Sequence, residues 1–290
     1  MLKNLHLHRF WRNQLKDSTA LLYALPTFNA TLYILNTYSS KGNSFFSLFL
    51  QHNAFHTPFF MAGKTGPAFL KPYLVVFNLA CLFSWAYLLY LTVDHYFIRG
   101  LPANQLWNTV EIVFKIAQSF AVLEVVHAML GWVRSPVFTT FLQVLSRIAV
   151  LWVMINLESQ VALPWWGYYT LTSLIFAWGV TEVVRYLFYG LKLFDIEIAP
   201  LSWCRYSFFL VLYPLGVASE LSLIFARLPY IYAERPLSIL MPNKWNFAID
   251  LFFLTVLGLI TYIPGFPMLF SYMLTQRAKV IGGASKKKTA

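Results

Sequence analysis

The sequence predicts an all-α fold, a polytopic membrane protein whose six transmembrane helices form one bundle. Three observations predict it. Only 11% of the 290 residues are charged and 59% are hydrophobic, whereas a soluble domain carries about 25% charged residues. A soluble chain of this size must cover its surface with polar groups, and lipid removes that need. Six mostly apolar runs of about 20 residues follow one another, each long enough to cross a hydrocarbon core. Ten Trp and 17 Tyr suit a chain with two membrane–water interfaces, where amphipathic rings settle.

The first run, roughly Tyr73–Val93, is free of charge up to its end. The second, Val110–Val133, carries Glu124 and His127 one turn apart on one face. The third, Val137–Leu157, carries Gln143 and Arg147, also one turn apart. The fourth, Trp166–Tyr189, holds Glu182, Arg185 and Tyr186. The fifth, Trp203–Ile224, holds Arg205, Tyr206, Tyr213 and Glu220; the last two and Tyr206 recur every seven residues, nearly two turns, and so share one stripe. The sixth, Phe247–Tyr272, holds almost nothing ionisable after Asp250. Short connections with proline at 102, 136, 164 and 200 separate the runs, and no internal repeat is present. The expected organisation is an N-terminal extension over residues 1–60, weakly structured or lying on the membrane surface, a six-helix domain over 61–277, and a basic tail over 278–290.

An even number of spans puts both termini on one side. That side collects Lys64, Lys71, Arg134, Lys192, Arg277, Lys279 and Lys286 to Lys288, against Arg99, Arg227, Arg235 and Lys244 on the other. The bias predicts cytosolic termini, with Trp165 and Trp166 at the far interface. Lys286-Lys287-Lys288-Thr289-Ala290 resembles the dilysine retrieval signal of endoplasmic reticulum membrane proteins, which needs a cytosolic C-terminus. No cleavable signal peptide is expected. Met61 opens a stretch that would itself serve as a start, and the sequon Asn29-Ala30-Thr31 lies on the cytosolic side and stays unmodified. The net charge of +11 points to anionic lipid headgroups or an anionic ligand. It excludes nucleic acid as a partner, because the basic residues are scattered between apolar runs without a contiguous face. Cys81 and Cys204 lie in apolar runs and read as small hydrophobes, with no disulfide framework or zinc spacing.

A charge near the bilayer centre costs about 2.5–3.5 kcal/mol on insertion scales, yet four consecutive spans carry them. Pairing explains part of this: Glu182 with Arg185 on its own helix, and Glu124 with Arg147 between helices. Glu220 has no basic residue within a turn, so its partner must come from elsewhere. A carboxylate in such an apolar site suits general acid–base work. Tyr213 precedes Pro214, which removes a backbone donor and crowds the carbonyl of Leu210, a break that would expose backbone polarity beside the tyrosine. Tyr213 would lie about 15 Å along its span, near the midplane. Arg134, Arg185, Lys192 and Arg205 gather toward the cytosolic ends. A basic mouth with an acid–base pair beneath it suits an amphiphile with an anionic head.

The stretch Leu212–Glu220 (LYPLGVASE) resembles the signature of the membrane 3-hydroxyacyl-CoA dehydratases of very-long-chain fatty acid elongation, a family also known as protein tyrosine phosphatase-like. GWVRSP (131–136), TTFLQVLSR (139–147), TEVVRYLFY (181–189) and YIPGFPMLF (262–270) match in the same order, so the resemblance covers Tyr73 to Arg277 and leaves the first sixty residues unmatched. It implies six helices in the endoplasmic reticulum membrane and removal of water from a long-chain 3-hydroxyacyl-CoA to give the trans-2-enoyl-CoA. It places the family's catalytic pair on Tyr213 and Glu220, and its shared polar motifs on Glu124, Gln143, Arg147, Arg185, Tyr186, Arg205 and Gly216. It implies other elongase components as partners: the condensing enzyme and the ketoacyl and enoyl reductases. No metal or cofactor is expected, coenzyme A being part of the substrate.

The chemistry agrees with that resemblance. Dehydration needs a base for the α proton, an acid for the departing hydroxyl, and donors for charge developing on the thioester oxygen. Tyr213 and Glu220 supply two groups of different proton affinity, without their sequence saying which is base and which is acid. Arg147, Arg185 and Arg205 are candidates for orienting the pair, stabilising that oxygen or holding CoA phosphates. Cysteine phosphatase chemistry requires an arginine six residues after the nucleophile; Leu210 follows Cys204 and Tyr87 follows Cys81, so it is excluded. Two other readings differ in class. A membrane scaffold of the elongase would use the charges only to lock the bundle. A transporter would show inverted repeats and paired broken helices, which are absent from the sequence.

Overall fold

The computed structural model describes residues 68–133, 135–156, 163–239, 241, 244 and 248–288, with side chains as far as Ile281. The expectations for residues 1–60, Lys64, Met61, Arg134 and the terminal lysine side chains lie outside the described residues. Seven α-helices are described: α1 (Leu70–Val93), α2 (Leu106–Met129), α3 (Val137–Ala149), α4 (Trp165–Lys192), α5 (Ala199–Ser207), α6 (Phe209–Glu234) and α7 (Leu251–Lys288). π-helical turns continue α1 through Asp94–Ile98 and α3 through Val150–Asn156. With α5 and α6 in line, this gives six helices long and apolar enough to cross a membrane. All six predicted runs are among them.

The fifth span extends beyond the expected Trp203–Ile224 at both ends, over Ala199–Glu234. At its start Pro200 occupies the first turn, where a missing N–H has no helical partner to lose. At its end Arg235 adopts φ 47°, ψ 46°, a left-handed cap that stops the helix. The expected break at Pro214 is not there. α6 runs through Pro214, and the irregular step lies upstream at Phe208, whose carbonyl accepts from both Val211 (3.1 Å) and Leu212 (2.9 Å). Pro214 is near the start of α6, so the helix restarts at Phe209 and absorbs the deleted bond within its opening turns.

α4 is the central helix, with α1 along one flank and α6 along another, while α2 packs on α1 and α3, and α7 on α6 and α5. Of the most apolar stretch of α4, 44% is buried between helices, against 6% for α7; α7 therefore lies at the periphery with most of its surface toward lipid. Trp85, Phe114, Leu151, Leu174, Trp178 and Leu223 form the shared core. Phe83, Phe97, Val211 and Phe253 point outward, which is unfavourable in water but neutral against lipid tails. Helix association in that medium rests on close packing and interhelical hydrogen bonds.

Candidate active site

α6 and α7 meet along matched stripes. Phe209 of α6 packs edge-on against Phe270 of α7, with centroids 5.8 Å apart. One turn on, the Tyr213 ring stacks on Phe266 at 5.2 Å, the planes 5° apart, and on Phe270 at 6.4 Å. Further along, the Tyr262 hydroxyl donates to Glu220 Oε2 at 2.7 Å. Tyr262, Phe266 and Phe270 recur every four residues, so they line one face of α7. The contacts pair ascending positions in α6 with descending ones in α7, which makes the two helices antiparallel.

α4 supplies the third wall. Trp178 Nε1 donates to the other Glu220 oxygen, Oε1, at 3.0 Å. Trp178 is buried, packs edge-on against Phe114 at 6.0 Å, and carries the Arg147 guanidinium over its ring at 4.7 Å. Gly216, one turn before Glu220, lies at this crossing: a Cβ there would meet Trp178 Cδ1 and Nε1 and Ala177 Cβ at 3.7 Å, ordinary contact that leaves little room for anything larger. Both oxygens of Glu220 thus accept from neutral donors on other helices, the distant partners its isolation in sequence requires. The Tyr213 hydroxyl hydrogen-bonds none of the described residues, so α6 presents a held carboxyl group and an uncommitted hydroxyl.

A second polar cluster crosses α2, α3 and α4. Arg185 forks onto Glu124, with both N–H···O distances 2.8 Å, and its Nε donates to Glu182 Oε2 at 2.6 Å. The Tyr186 hydroxyl donates to Glu124 Oε1 at 2.5 Å, and Arg147 pairs with Glu182 Oε1. The expected Glu124–Arg147 pair is not formed. Glu182 and Arg185 lie one turn apart on α4, and Arg185 reaches Glu124 of α2 while Glu182 takes Arg147 of α3. Two carboxylates and two guanidiniums balance one another, which commits Arg147 and Arg185 to protein partners rather than to phosphates.

The other expected site residues are placed apart. Arg205 is half-buried on α5, its guanidinium 3.4 Å from the Tyr189 hydroxyl and 5.8 Å from that ring's centroid. Tyr206 packs edge-on against Phe188 of α4 at 6.3 Å, so the seven-residue stripe divides between two neighbours. Gln143 is exposed on α3 and joins neither cluster. Arg227, expected at the far interface, is instead buried, with Nε donating to the Met154 carbonyl at 2.9 Å, because α6 continues seven residues beyond it. Two contacts of Glu220, Trp178 and Tyr262, were absent from the sequence expectations. The four-residue recurrence of aromatics in YIPGFPMLF is the signal that would have pointed to Tyr262. Among the described residues no group of three or more His, Cys, Asp and Glu could hold a metal.

The family model described as Protein tyrosine phosphatase-like protein, PTPLA, matches residues 118–283. The chain is 41% identical over 229 residues to very-long-chain (3R)-3-hydroxyacyl-CoA dehydratase PASTICCINO 2A of Oryza sativa subsp. japonica, covering 77% of this chain and 99% of that protein. It is 41% identical over 224 residues to very-long-chain (3R)-3-hydroxyacyl-CoA dehydratase hpo-8 of Caenorhabditis elegans, covering 76% and 99%. It is 34% identical over 216 residues to very-long-chain (3R)-3-hydroxyacyl-CoA dehydratase 2 of Homo sapiens, covering 74% and 83%. No solved structure matches the chain.

Proposed function

Because the chain belongs to the protein tyrosine phosphatase-like family and its relatives are named very-long-chain (3R)-3-hydroxyacyl-CoA dehydratases, we propose that it carries out the third step of fatty acid elongation, removing water from a 3-hydroxyacyl-CoA to give the trans-2-enoyl-CoA, with Tyr213 and Glu220 moving the protons. The observation that carries the site assignment is the contrast within α6: both Glu220 oxygens accept hydrogen bonds, whereas the Tyr213 hydroxyl makes none to the described residues. With an indole N–H and a phenol O–H aimed at its two oxygens, Glu220 is held as a hydrogen-bond acceptor, and we assign it as the base for the α proton. The Tyr213 hydroxyl then supplies a proton to the departing hydroxide. The C2–H pair becomes the new double bond, the C3–O bond breaks, and water leaves. Proton return from Glu220 to the tyrosinate completes the cycle. One proton and one hydroxide account for the whole change, so the step calls for no electron carrier, and coenzyme A belongs to the substrate.

The supporting residues divide by contact. Arg147 acts through Trp178 and Glu182. Arg185, Glu124 and Tyr186 hold α2 against α4, and Gly216 lets α6 approach Trp178. Arg205 at the cytosolic end is the cation suited to a CoA phosphate. We place the protein in the endoplasmic reticulum membrane with both termini cytosolic, working beside a condensing enzyme and two reductases.

The test is dehydration of a long-chain (3R)-3-hydroxyacyl-CoA by the purified protein in detergent, with the enoyl product followed by mass spectrometry. Wild type forms product. Tyr213→Phe, which keeps the stack on Phe266, and Glu220→Gln, which keeps the shape of the side chain, each lose it while remaining folded. Product from either variant at near wild-type rate refutes its role. No product from folded wild type turns the reading to the membrane scaffold.

A further inference from the structure

Glu220 is gripped asymmetrically, and the asymmetry distinguishes its two oxygens. Oε1 faces the Trp178 indole N–H at 3.0 Å. An indole nitrogen donates and never accepts, so this contact is strongest while Oε1 is the unprotonated, carbonyl-type oxygen, a better acceptor than the oxygen of a carboxylic O–H. Oε2 faces the Tyr262 hydroxyl at 2.7 Å. A phenol both donates and accepts, so its hydroxyl can donate to the carboxylate and rotate to accept from the carboxylic acid. Trp178 is itself fixed, 3% exposed, between Phe114 at 6.0 Å and the Arg147 guanidinium at 4.7 Å. Tyr262 stands in the same aromatic row of α7 as Phe266, the residue on which the Tyr213 ring stacks. Trp178 and Tyr262 approach from different helices, so together they fix both the rotation and the reach of the Glu220 side chain.

Resting on the assignment of Glu220 as the base, we infer that Trp178 and Tyr262 are its positioning residues, and that Oε2, the oxygen held by Tyr262, is the one that takes up and returns the proton. Trp178 keeps Oε1 an acceptor throughout the cycle. Tyr262 follows the proton: it donates to Oε2 before abstraction and accepts from the Oε2–H group afterwards, returning to donation once the proton has passed back to Tyr213. No atom is gained or lost in this reorientation. Neither side chain needs to touch the substrate, and each acts through Glu220.

The experiment measures kcat and KM for Tyr262→Phe, Trp178→Phe and Glu220→Gln in detergent, with the thermal unfolding midpoint of each. Phenylalanine at 262 keeps the ring within its aromatic row, and at 178 it keeps a ring beneath Arg147. The expected result is that Glu220→Gln is inactive, while Tyr262→Phe and Trp178→Phe each lower kcat about 10- to 100-fold, as removing one hydrogen bond to a charged group would, at unchanged KM, with the midpoint of Tyr262→Phe near wild type and that of Trp178→Phe lowered by the void left in the core. The same two variants should enlarge the kinetic isotope effect of a substrate deuterated at C2, a readout that packing alone would not move. An unchanged kcat in either variant, or a rise in KM with kcat intact, overturns the inference while leaving the base assignment standing, provided Glu220→Gln is inactive. Activity retained in Glu220→Gln removes the base assignment and the inference with it. If Tyr262→Phe fails to fold, 3-fluorotyrosine at 262 takes its place: it keeps the hydroxyl and nearly the same shape while changing its strength as a donor, so an unaltered kcat overturns the inference and an altered one supports it.

Discussion

Among the described residues Glu182 is the most committed carboxylate: 2% exposed, it takes Arg147 from α3 on one oxygen and Arg185 from its own helix on the other. Removing its charge leaves two partly buried guanidiniums short of a partner. Glu182→Gln should therefore cost roughly 3 kcal/mol, at the low end for removing one partner of a buried pair, since both arginines keep some contact with solvent. Glu124→Gln should cost less, because Arg185 retains Glu182. The check is the order of thermal unfolding midpoints in detergent: wild type above Glu124→Gln above Glu182→Gln. The reverse order would mean that Arg185–Glu124 is the pair that matters. At this scale the sequence made the ionisable residues easy to find, because each charge inside an apolar run costs enough that it must have a reason to be there. It could not reveal which charge meets which, since that depends on how α4 is rotated about its axis relative to α2 and α3. Trp178 and Tyr262 were hidden for a different reason. Aromatic side chains are ordinary in membrane helices, and nothing in composition separates one that anchors an interface from one that donates to Glu220.

Among the elements, the crossing of α4 and α6 decides whether the site assembles. Gly216 sits there, and a Cβ at this position would make only ordinary contacts, 3.7 Å from Trp178 and Ala177. Alanine therefore fits, and Gly216→Ala should keep the wild-type unfolding midpoint. Leucine adds three further carbons against a buried indole. Gly216→Leu should cost about 1–3 kcal/mol through overpacking and lower kcat by pushing Trp178 away from Glu220. Thermal unfolding and the dehydration assay run on the same three proteins test this, and a Leu variant as stable and active as wild type would show that α6 can slide along α4 freely. The spans themselves were readable in the sequence, since length and hydropathy fix them without knowledge of neighbours. Their limits were less so. α5 and α6 join end to end across Phe208, and Pro214 is absorbed within the opening turns of α6.

For the whole molecule, the remaining question is which way the bundle stands in the membrane, and α1 provides a self-contained test. Lys71 lies at its start and Arg99 just beyond its end, both exposed. The 28 steps from Lys71 to Arg99 rise about 42 Å at 1.5 Å per residue, more than the roughly 30 Å of a hydrocarbon core. The two positions must therefore face opposite compartments if α1 spans. The basic residues gather on the Lys71 side, which the proposed topology places in the cytosol by the positive-inside rule. In a Cys204→Ser background, where the remaining Cys81 is buried, a membrane-impermeant maleimide added to sealed endoplasmic reticulum vesicles should label Lys71→Cys at once and Arg99→Cys only after detergent. The opposite pattern would invert the bundle, turning the Arg205 end of the α5–α6 span toward the lumen and away from cytosolic CoA thioesters. Labelling of both positions in sealed vesicles would mean that α1 does not cross. The expected pattern would put the arginine proposed for CoA phosphate on the side where the thioester is found, with Tyr213 and Glu220 deeper along the same span, so that one helix both receives the polar head and acts on the chain that follows it.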